Sequence, residues 1–278
     1  MHKKKKIWKV VFVIGFLVMM YPLVSRLHYK QVAKKQVSDF EKKARALKAT
    51  EIEKRMTLAK AYNATLDPSR LTDPYSETEK AGVKAYARML EVGELLGHVD
   101  VPAIGEDLPV YAGSGENILQ KGCGHMEGTS LPIGGKSTHA VLTAHRGLPT
   151  AALFRHLDKL KKGDRFYVRN MKETLAYEVD QIKVVRPWDF APVMVADGKD
   201  YCTLLTCTPY MVNSDRLLVR GHRIRYVAPV REKDRAQEAE RSYKVYFYGA
   251  LLVAGLLTLG LVREKRRIRK IKRRRHND

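Results

Sequence analysis

A cysteine and an arginine lie nine residues apart within the stretch Tyr201–Arg225. Residues Thr203–Cys207 form an apolar run typical of a β-strand, Pro209 ends it, and a second such run begins at Arg216. The connection is too short for a parallel crossover, so the two strands are expected to pair antiparallel. The sequence therefore predicts that the thiol of Cys207 and the guanidinium of Arg216 lie side by side at one end of a sheet.

A thiol beside a guanidinium can act as a nucleophile, because the thiolate attacks carbonyl carbons and nearby positive charge favours the thiolate. The guanidinium can also donate hydrogen bonds to the oxyanion that develops during the attack. The plainer alternative is that Cys207 is a small buried apolar side chain, as free cysteines often are. The flanking Thr-Cys-Thr-Pro sequence and the nearby Arg216 favour the nucleophile.

A cysteine nucleophile needs a proton carrier, which is most often histidine, and the chain contains nine histidines. His145 directly follows the apolar run Ala140–Ala144, so it is expected at the end of a strand, where a side chain can project over a site. His125 lies in a predicted loop, Gly124–Gly128. The pattern favours His145, and His125 stays open as the alternative.

The net charge of +22 is concentrated at the two ends of the chain. The first nine residues contain five lysines, and residues 263–278 contain ten basic residues, whereas residues 61–229 hold 21 basic and 20 acidic residues. A nearly neutral central region does not suit nucleic-acid binding, which depends on clustered positive charge on the folded domain.

Two apolar stretches adjoin these basic ends, Ile7–Val24 and Val245–Val262. Each has 18 residues, enough to cross a hydrocarbon core of about 30 Å. No small-residue cleavage site follows the first stretch, so it is not typical of a cleaved signal peptide. Because flanking Lys and Arg favour the cytoplasm, both termini are predicted to be cytoplasmic and the region between the spans extracellular.

The amino-acid composition of the region between the spans changes along its length. Lys, Glu and Ala dominate residues 26–62, with apolar residues at helical spacing, and a further helical stretch runs from about Glu77 to Leu96. Short β-like runs separated by Gly, Pro and Asn follow, which predicts a mainly β domain built as a sandwich or closed barrel. We divide the chain into a cytoplasmic N-terminus (1–6), a transmembrane helix (7–25), a helical stalk (26–62), a turn-rich segment (63–80), a β domain (81–229), a linker (230–243), a second transmembrane helix (244–262) and a basic cytoplasmic tail (263–278).

Besides Cys207, the chain contains Cys123 and Cys202. An odd number of cysteines outside the cell leaves at least one thiol unpaired. Cys202 precedes Cys207 by five residues, which places the two on opposite faces of a regular strand, and we interpret Cys123 and Cys202 as structural. The histidines and cysteines lack metal-ligand spacing, and the glycine pairs are turns rather than phosphate loops. We therefore expect neither a metal nor a cofactor.

Taken together, these motifs resemble those of the sortases, and among them the class C sortases that build pili. The resemblance covers most of residues 60–228 and the layout of two membrane spans. Its motifs are Thr206-Cys207 followed by Arg216-Leu217-Leu218-Val219-Arg220-Gly221, Thr143-Ala144-His145-Arg146-Gly147, the stretch Gly124–Pro132, Gly97-His98-Val99-Asp100-Val101-Pro102, and Asp73-Pro74-Tyr75. Cys123 departs from the pattern, since an apolar residue is expected at its position.

The resemblance implies an eight-stranded sortase β-barrel with N-terminal helices, flanked by one transmembrane helix at each end. It implies that Cys207 is the nucleophile, His145 the general acid and base, and Arg216 the partner of the oxyanion and substrate. It also implies that Asp73, Pro74 and Tyr75 form a lid, with Asp73 paired to Arg216 and Tyr75 covering Cys207. Without the resemblance, a simple connector is the preferred interpretation of this turn-rich segment.

The function implied is that of a membrane-anchored cysteine transpeptidase on a Gram-positive cell surface. Such an enzyme cleaves an LPxTG-like sorting signal between Thr and Gly through a thioacyl intermediate and joins it to a lysine amine of a pilin. The partners expected are proteins with sorting signals and the membrane, and no nucleic acid. Three alternatives stay open: attachment of proteins to a peptidoglycan amine, hydrolysis by a cysteine protease, and a non-enzymatic two-span surface protein.

Overall fold

The computed structural model of the chain describes residues 2–66, residues 88–227 and a few isolated positions between 245 and 263. Within these residues, eight strands close into a barrel in the order β1-β2-β3-β4-β7-β8-β6-β5. The strands are β1 Gly97–Val101, β2 Glu106–Ala112, β3 Cys123–His125, β4 Thr138–Thr143, β5 Arg165–Arg169, β6 Thr174–Val185, β7 Asp200–Thr208 and β8 Asp215–Ile224. The α-helices are α1 His2–Ala46, α2 Ala49–Thr65 and the short α3 Glu116–Leu119, and 3₁₀ turns cover Arg88–Leu90, Pro102–Ile104, Leu157–Lys159 and Ala191–Val193. The predicted eight-stranded barrel is confirmed.

Apolar side chains from every strand fill the barrel. Phe166 and Tyr177 stack with their ring centroids 5.5 Å apart, and both are almost fully buried. Gly221 on β8 faces this pair so closely that a Cβ added there would lie 2.7 Å from Phe166. The absence of a side chain at this position therefore lets the two aromatic rings occupy the centre of the barrel.

Strand β7 ends with Cys207 and Thr208 at one end of the barrel, and β8 begins there with Asp215 and Arg216. The strand registers place the ends of β1, β4 and β6 and the beginnings of β2, β3 and β5 at this same end. We call this end the Cys207 rim. Its position follows from the pairing directions alone, since each antiparallel neighbour reverses the chain.

The helices predicted in residues 26–62 are present and pack against the barrel. Helix α1 places Val37, Phe40 and Ala44 in buried positions, and α2 does the same with Met56 and Ala59. Phe40, Ala44, Met56 and Ala59 belong to the same hydrophobic core as the barrel residues. Burial of this apolar stripe, in which α1 contacts β1 and β2, stabilises the helices on the barrel.

The first half of α1 contains the predicted membrane segment 7–25. Its apolar side chains are exposed, with Leu17 61 % and Val18 67 % accessible, so this is not a core helix of the domain. Among the described residues it is the one helix long and apolar enough to cross a membrane. The predicted second span, 244–262, and the predicted lid residues Asp73, Pro74 and Tyr75 lie outside the continuously described ranges.

The strand predictions from Ala140 onwards are confirmed, whereas the helix predicted to run from about Glu77 to Leu96 is wrong in its described part. Residues Arg88–Leu90 form a 3₁₀ turn, and Val92 and Leu95 pair in an isolated β-bridge. Gly93 between them has a positive φ of 74°, which a helix cannot accommodate. The apolar spacing at Leu90, Val92 and Leu95 therefore reflects burial under the barrel and not an α-helical face.

Candidate active site

Cys207 and Arg216 are directly opposed residues of neighbouring strands. Strands β7 and β8 pair antiparallel, with Thr206 opposite Leu217, Cys207 opposite Arg216 and Thr208 opposite Asp215. Directly opposed residues of such a pair have Cβ atoms roughly 4.5–5.5 Å apart. Both side chains are half-buried at the rim. The predicted placement of Cys207 beside Arg216 at one end of the sheet is confirmed.

His145 reaches the same rim from the other side of β7. Strands β4 and β7 are parallel, with Thr143 opposite Leu205 as the last pair. Beyond that pair, Ala144 remains hydrogen-bonded to β7. Its amide donates to the Leu205 carbonyl at 3.2 Å, and its carbonyl accepts a hydrogen bond from the Thr206 hydroxyl at 2.8 Å. One residue further along each strand come His145 and Cys207. His145 therefore lies beside Cys207 on one neighbouring segment of the chain, and Arg216 lies beside it on the other.

Arg146 secures this arrangement immediately beyond His145. Its guanidinium donates a hydrogen bond to the Thr208 hydroxyl and forms an ion pair at 3.0 Å with Asp158. The backbone carbonyl of His145 also accepts a hydrogen bond from the Phe154 amide at 3.1 Å. Contacts before and after His145 thus fix its backbone relative to Cys207.

His125, the alternative proton carrier, lies inside the protein. Its exposed fraction is 2 %, and its Nε2 atom lies 2.9 Å from the Ser130 carbonyl and 3.2 Å from the Thr129 hydroxyl. Burial lowers its pKa, which keeps the ring neutral. A ring with its Nε2 engaged in the interior cannot deliver a proton at the rim, which argues against His125 and leaves His145 as the candidate.

The other two cysteines are fully buried and free. Burial raises the pKa of the Cys123 thiol and that of the Cys202 thiol well above the ordinary value, so both remain protonated and unreactive. This agrees with their interpretation as structural residues. In contrast, Cys207 is partly exposed at the rim.

Comparison with known proteins identifies the family. The Sortase domain model matches residues 99–224, which span β1 to β8. The crystal structure of Streptococcus pneumoniae Sortase C is 54 % identical in sequence, covers 70 % of this chain and 100 % of its own, and superposes with a TM-score of 0.64. The pilus-related Sortase C of Group B Streptococcus is 58 % identical over 68 % of this chain and 97 % of its own, also with a TM-score of 0.64. The chain belongs to the sortase family, and within it to class C.

Members of other sortase classes are more distant. Sortase D of Bacillus subtilis is 28 % identical over 171 residues, which cover 60 % of this chain and 83 % of that protein. Sortases are cysteine transpeptidases, so this chain is an enzyme of that kind.

A carboxylate lies next to the imidazole of this sortase. Glu116 on α3 has its Oε1 atom 3.2 Å from Nε2 of His145. The pKa of the Glu116 carboxyl is lowered, first by a hydrogen bond from Gln120 and further by His145, so the carboxylate is ionised at neutral pH. The short helix is itself anchored, because the buried Glu127 accepts hydrogen bonds from the backbone amide and the hydroxyl of Ser114. Spacing along the chain offers no reason to connect Glu116 with His145.

Replacing Glu116 with Gln should slow the sortase reaction modestly. The substitution removes the carboxylate that contacts Nε2 of His145 and orients the ring. Because exposed charge pairs contribute about 0.2–1 kcal/mol and 1.36 kcal/mol corresponds to a tenfold change in rate, kcat/KM should fall roughly 1.4- to 5-fold. The measurement is kcat/KM with a fluorogenic sorting peptide.

Glu94 provides the matched control. Glu94→Gln removes the same charge from an exposed position three residues before β1, which begins at the end of the barrel opposite the rim. This variant should keep the wild-type kcat/KM, and Glu116→Asp should recover part of the loss. Equal kcat/KM values for Glu116→Gln and Glu94→Gln would show that the contact has no influence on the reaction.

Arg216 has hydrogen-bonding capacity left for a substrate. Its Nη1 atom donates to the carbonyls of Asn213 and Asp215 at 3.3 and 3.2 Å, which holds the guanidinium beside β7. Asp215 is engaged by Arg186 at 3.5 Å, and no ion pair to Arg216 forms among the described residues. The remaining N–H groups can therefore donate to an incoming carbonyl oxygen.

Proposed function

We propose that this sortase is a pilus-assembling transpeptidase in which Cys207 is the nucleophile, His145 the general acid and base, and Arg216 the stabiliser of the oxyanion. The observation that carries the proposal is the strand register at one rim, where Cys207 lies directly opposite Arg216 and His145 follows the end of β4, the other neighbour of β7. The contacts from Ala144 and Arg146 to β7, which hold His145 at the same level, support it.

The reaction proceeds through a thioacyl enzyme. The Cys207 thiolate attacks the threonine carbonyl of the sorting signal, a C–S bond forms, and Arg216 donates hydrogen bonds to the resulting oxyanion. The C–N bond to glycine then breaks as the imidazolium of His145 protonates the departing amine. The neutral imidazole next accepts a proton from the incoming amine, which attacks the thioester and returns the sulfur as thiolate.

The substrate is an LPxTG-like sorting signal, and the acceptor is a lysine amine of a pilin subunit. The support for a pilin comes from the related proteins, since the matching Sortase C of Group B Streptococcus is pilus-related. Repetition of the reaction on successive subunits produces a polymer joined by isopeptide bonds.

The enzyme acts at the outer surface of the membrane. The exposed apolar half of α1 anchors the chain, the apolar stretch 244–262 forms a second span, and the basic ends hold both termini in the cytoplasm. Residues 26–243 are then extracellular. Confinement to one surface raises the effective concentration of a membrane-anchored substrate for the enzyme.

A product analysis tests this function. The full-length chain in detergent is incubated with a sorting peptide and one of three acceptors: a pilin domain with an accessible lysine, a peptidoglycan-derived amine, or water alone. Mass spectrometry should show a peptide–pilin isopeptide as the main product. A main product on the peptidoglycan amine would indicate a cell-wall-anchoring enzyme, and hydrolysis unaffected by any amine would indicate a protease.

The lid belongs to the same proposal. In the lid that we propose, Asp73 would pair with Arg216 and Tyr75 would cover Cys207 and shield its thiol. Replacing Asp73 or Tyr75 with Ala should therefore speed the reaction of Cys207 with iodoacetamide several-fold. The buried thiols of Cys123 and Cys202 contribute little to the signal, which can be followed by the mass of the intact protein.

Ser76→Ala serves as the control for the lid, because it alters the same segment without removing the acid or the aromatic ring. Its labelling rate should equal that of the wild type. Equal rates for all of these variants would contradict the lid.

A further inference from the structure

Helix α1 approaches the barrel from the Cys207 rim. Near its middle, the Tyr29 hydroxyl donates a hydrogen bond at 3.0 Å to the carbonyl of Lys121, two residues before β3 begins at that rim. Eleven residues later, the Phe40 ring contacts the ring of His98 near the start of β1, at the opposite end of the barrel. The helix therefore runs along the barrel away from the rim, and its N-terminal half extends beyond the rim.

Charged groups give a second, independent indication of this direction. Burial raises the pKa of Glu106, the first residue of β2 at the rim, to about 7, and the positive charges of Lys30, Arg155 and Arg26 oppose that rise. Arg155 in turn lies over the ring of Tyr210, 5.4 Å from its centroid, in the connection that follows Cys207. The residues of α1 just beyond the apolar stretch thus lie close to the residues that surround the candidate nucleophile.

The distance between the apolar stretch and the rim is short. Helix α1 is continuous from His2 to Ala46, so the five residues from Val24 to Tyr29 span only ~7–8 Å at a rise of 1.5 Å per residue. When the apolar stretch crosses a bilayer, the edge of the hydrocarbon core therefore lies ~7–8 Å from the rim, which is about the thickness of one headgroup layer.

The rim also exposes large apolar side chains. Trp188 follows the end of β6 and is 71 % accessible, while Met211 and Val212 in the β7–β8 connection are 81 % and 69 % accessible. Arg186 beside them is exposed. Exposed apolar and aromatic side chains next to basic ones are typical of surfaces that rest in the headgroup region of a bilayer.

We propose that the Cys207 rim is a membrane-contacting surface, with Trp188, Met211 and Val212 immersed in the headgroup region of the bilayer that α1 crosses. The inference rests on the membrane anchoring proposed above and adds the orientation of the domain. The occupant is the lipid surface, because the chain's own apolar helix leaves the barrel at this end. The thiol then faces the membrane, and a substrate anchored in the same bilayer meets it close to the surface.

Depth-dependent fluorescence quenching tests the orientation. The chain contains two tryptophans, so Trp8→Phe leaves Trp188 as the single reporter. The full-length chain is reconstituted into vesicles of phosphatidylcholine and phosphatidylglycerol that carry a nitroxide on the headgroup. Trp188 emission should be quenched several-fold more strongly than that of a control in which Trp8 and Trp188 are Phe and Val227, exposed beyond the end of β8 at the opposite end, is Trp.

The outcomes separate lipid from other occupants. Quenching of Trp188 no stronger than that of the Val227→Trp control would overturn the proposal. Quenching that appears only after Asp73 and Tyr75 are replaced would also count against it, since the surface would then be covered by the chain's own segment. A Trp188 signal that is insensitive to lipid and changes only with added sorting peptide would assign the surface to the substrate.

The measurement is independent of catalysis. Carried out on Cys207→Ala protein, it should give the same quenching, although that variant forms no thioacyl enzyme. Co-flotation of the chain with the vesicles reports the membrane anchoring separately. A floating chain with an unquenched Trp188 would contradict the orientation while leaving the proposed reaction and its anchor intact.

Discussion

Replacing Cys207 with Ala is expected to abolish transpeptidation, because no other thiol of the described domain is accessible to form the thioacyl bond. Loss of a catalytic nucleophile typically costs at least ~10³-fold in kcat. The ligated product of the sorting peptide and an amine should therefore fall below detection by mass spectrometry. Binding of the sorting peptide should persist, since the substitution removes only the sulfur.

Cys202→Ala is the matched control for this experiment. It removes a thiol from the same strand, β7, but from the buried face of the barrel. Cys202→Ala should stay active with a lower thermal unfolding midpoint, because it leaves a small cavity. Cys207→Ala should be inactive with an almost unchanged midpoint, because its side chain is only half-buried. Retained ligation by Cys207→Ala would contradict the proposed nucleophile.

Replacing Arg216 with Ala is expected to have the second-largest effect. The substitution removes the donor to the developing oxyanion, and loss of one such donor lowers kcat by roughly 10²–10³. Single-turnover formation of the thioacyl enzyme should slow by that factor, as followed by the mass of the intact protein. Arg216→Lys should recover only part of the rate, because an ammonium keeps the charge and lacks the planar pair of donors.

Arg223 offers a control on the same strand. It lies towards the other end of β8, where it approaches Glu173 at 3.6 Å. Arg223→Ala changes the charge of the domain by the same amount and should leave the thioacylation rate near that of the wild type. Equal slowing in Arg216→Ala and Arg223→Ala would indicate an effect of net charge or folding in place of oxyanion stabilisation.

The pairing of Cys207 with Arg216 could be predicted from the sequence because it is local. A short connection between two apolar runs forces an antiparallel pair, and the turn residues between them define the register within narrow limits. The structure places the two residues directly opposite each other. The same reasoning recovered most strands from Ala140 onwards, since alternating burial leaves a clear pattern along a strand.

The choice between His145 and His125 could not be made from spacing. It depends on the parallel pairing of β4 with β7, which joins residues about 60 positions apart, and on the burial of His125 among Thr129 and Ser130. Contacts of this range leave no periodic signal in the chain. Glu116 was missed for the same reason, because α3 comes close to His145 only through the folding of the barrel.

The apolar stripe of α1 was visible in the sequence, but its packing partner was not. Val37, Phe40 and Ala44 have the spacing of one helical face, which suits both a free amphipathic stalk and a docked helix. Docking is decided by the complementary apolar surface on β1 and β2, which is formed by residues elsewhere in the chain. This packing also orients the domain relative to the membrane segment.

The most direct test of the central claim is the location of the acyl group on the enzyme. The full-length chain is mixed with a sorting peptide without an amine acceptor, quenched with acid and digested, and the modified residue is read by tandem mass spectrometry. We expect the acyl mass on Cys207 alone, with less of it in His145→Ala and Arg216→Ala. An acyl group on Cys123 or Cys202, or its full formation in both variants, would contradict the account.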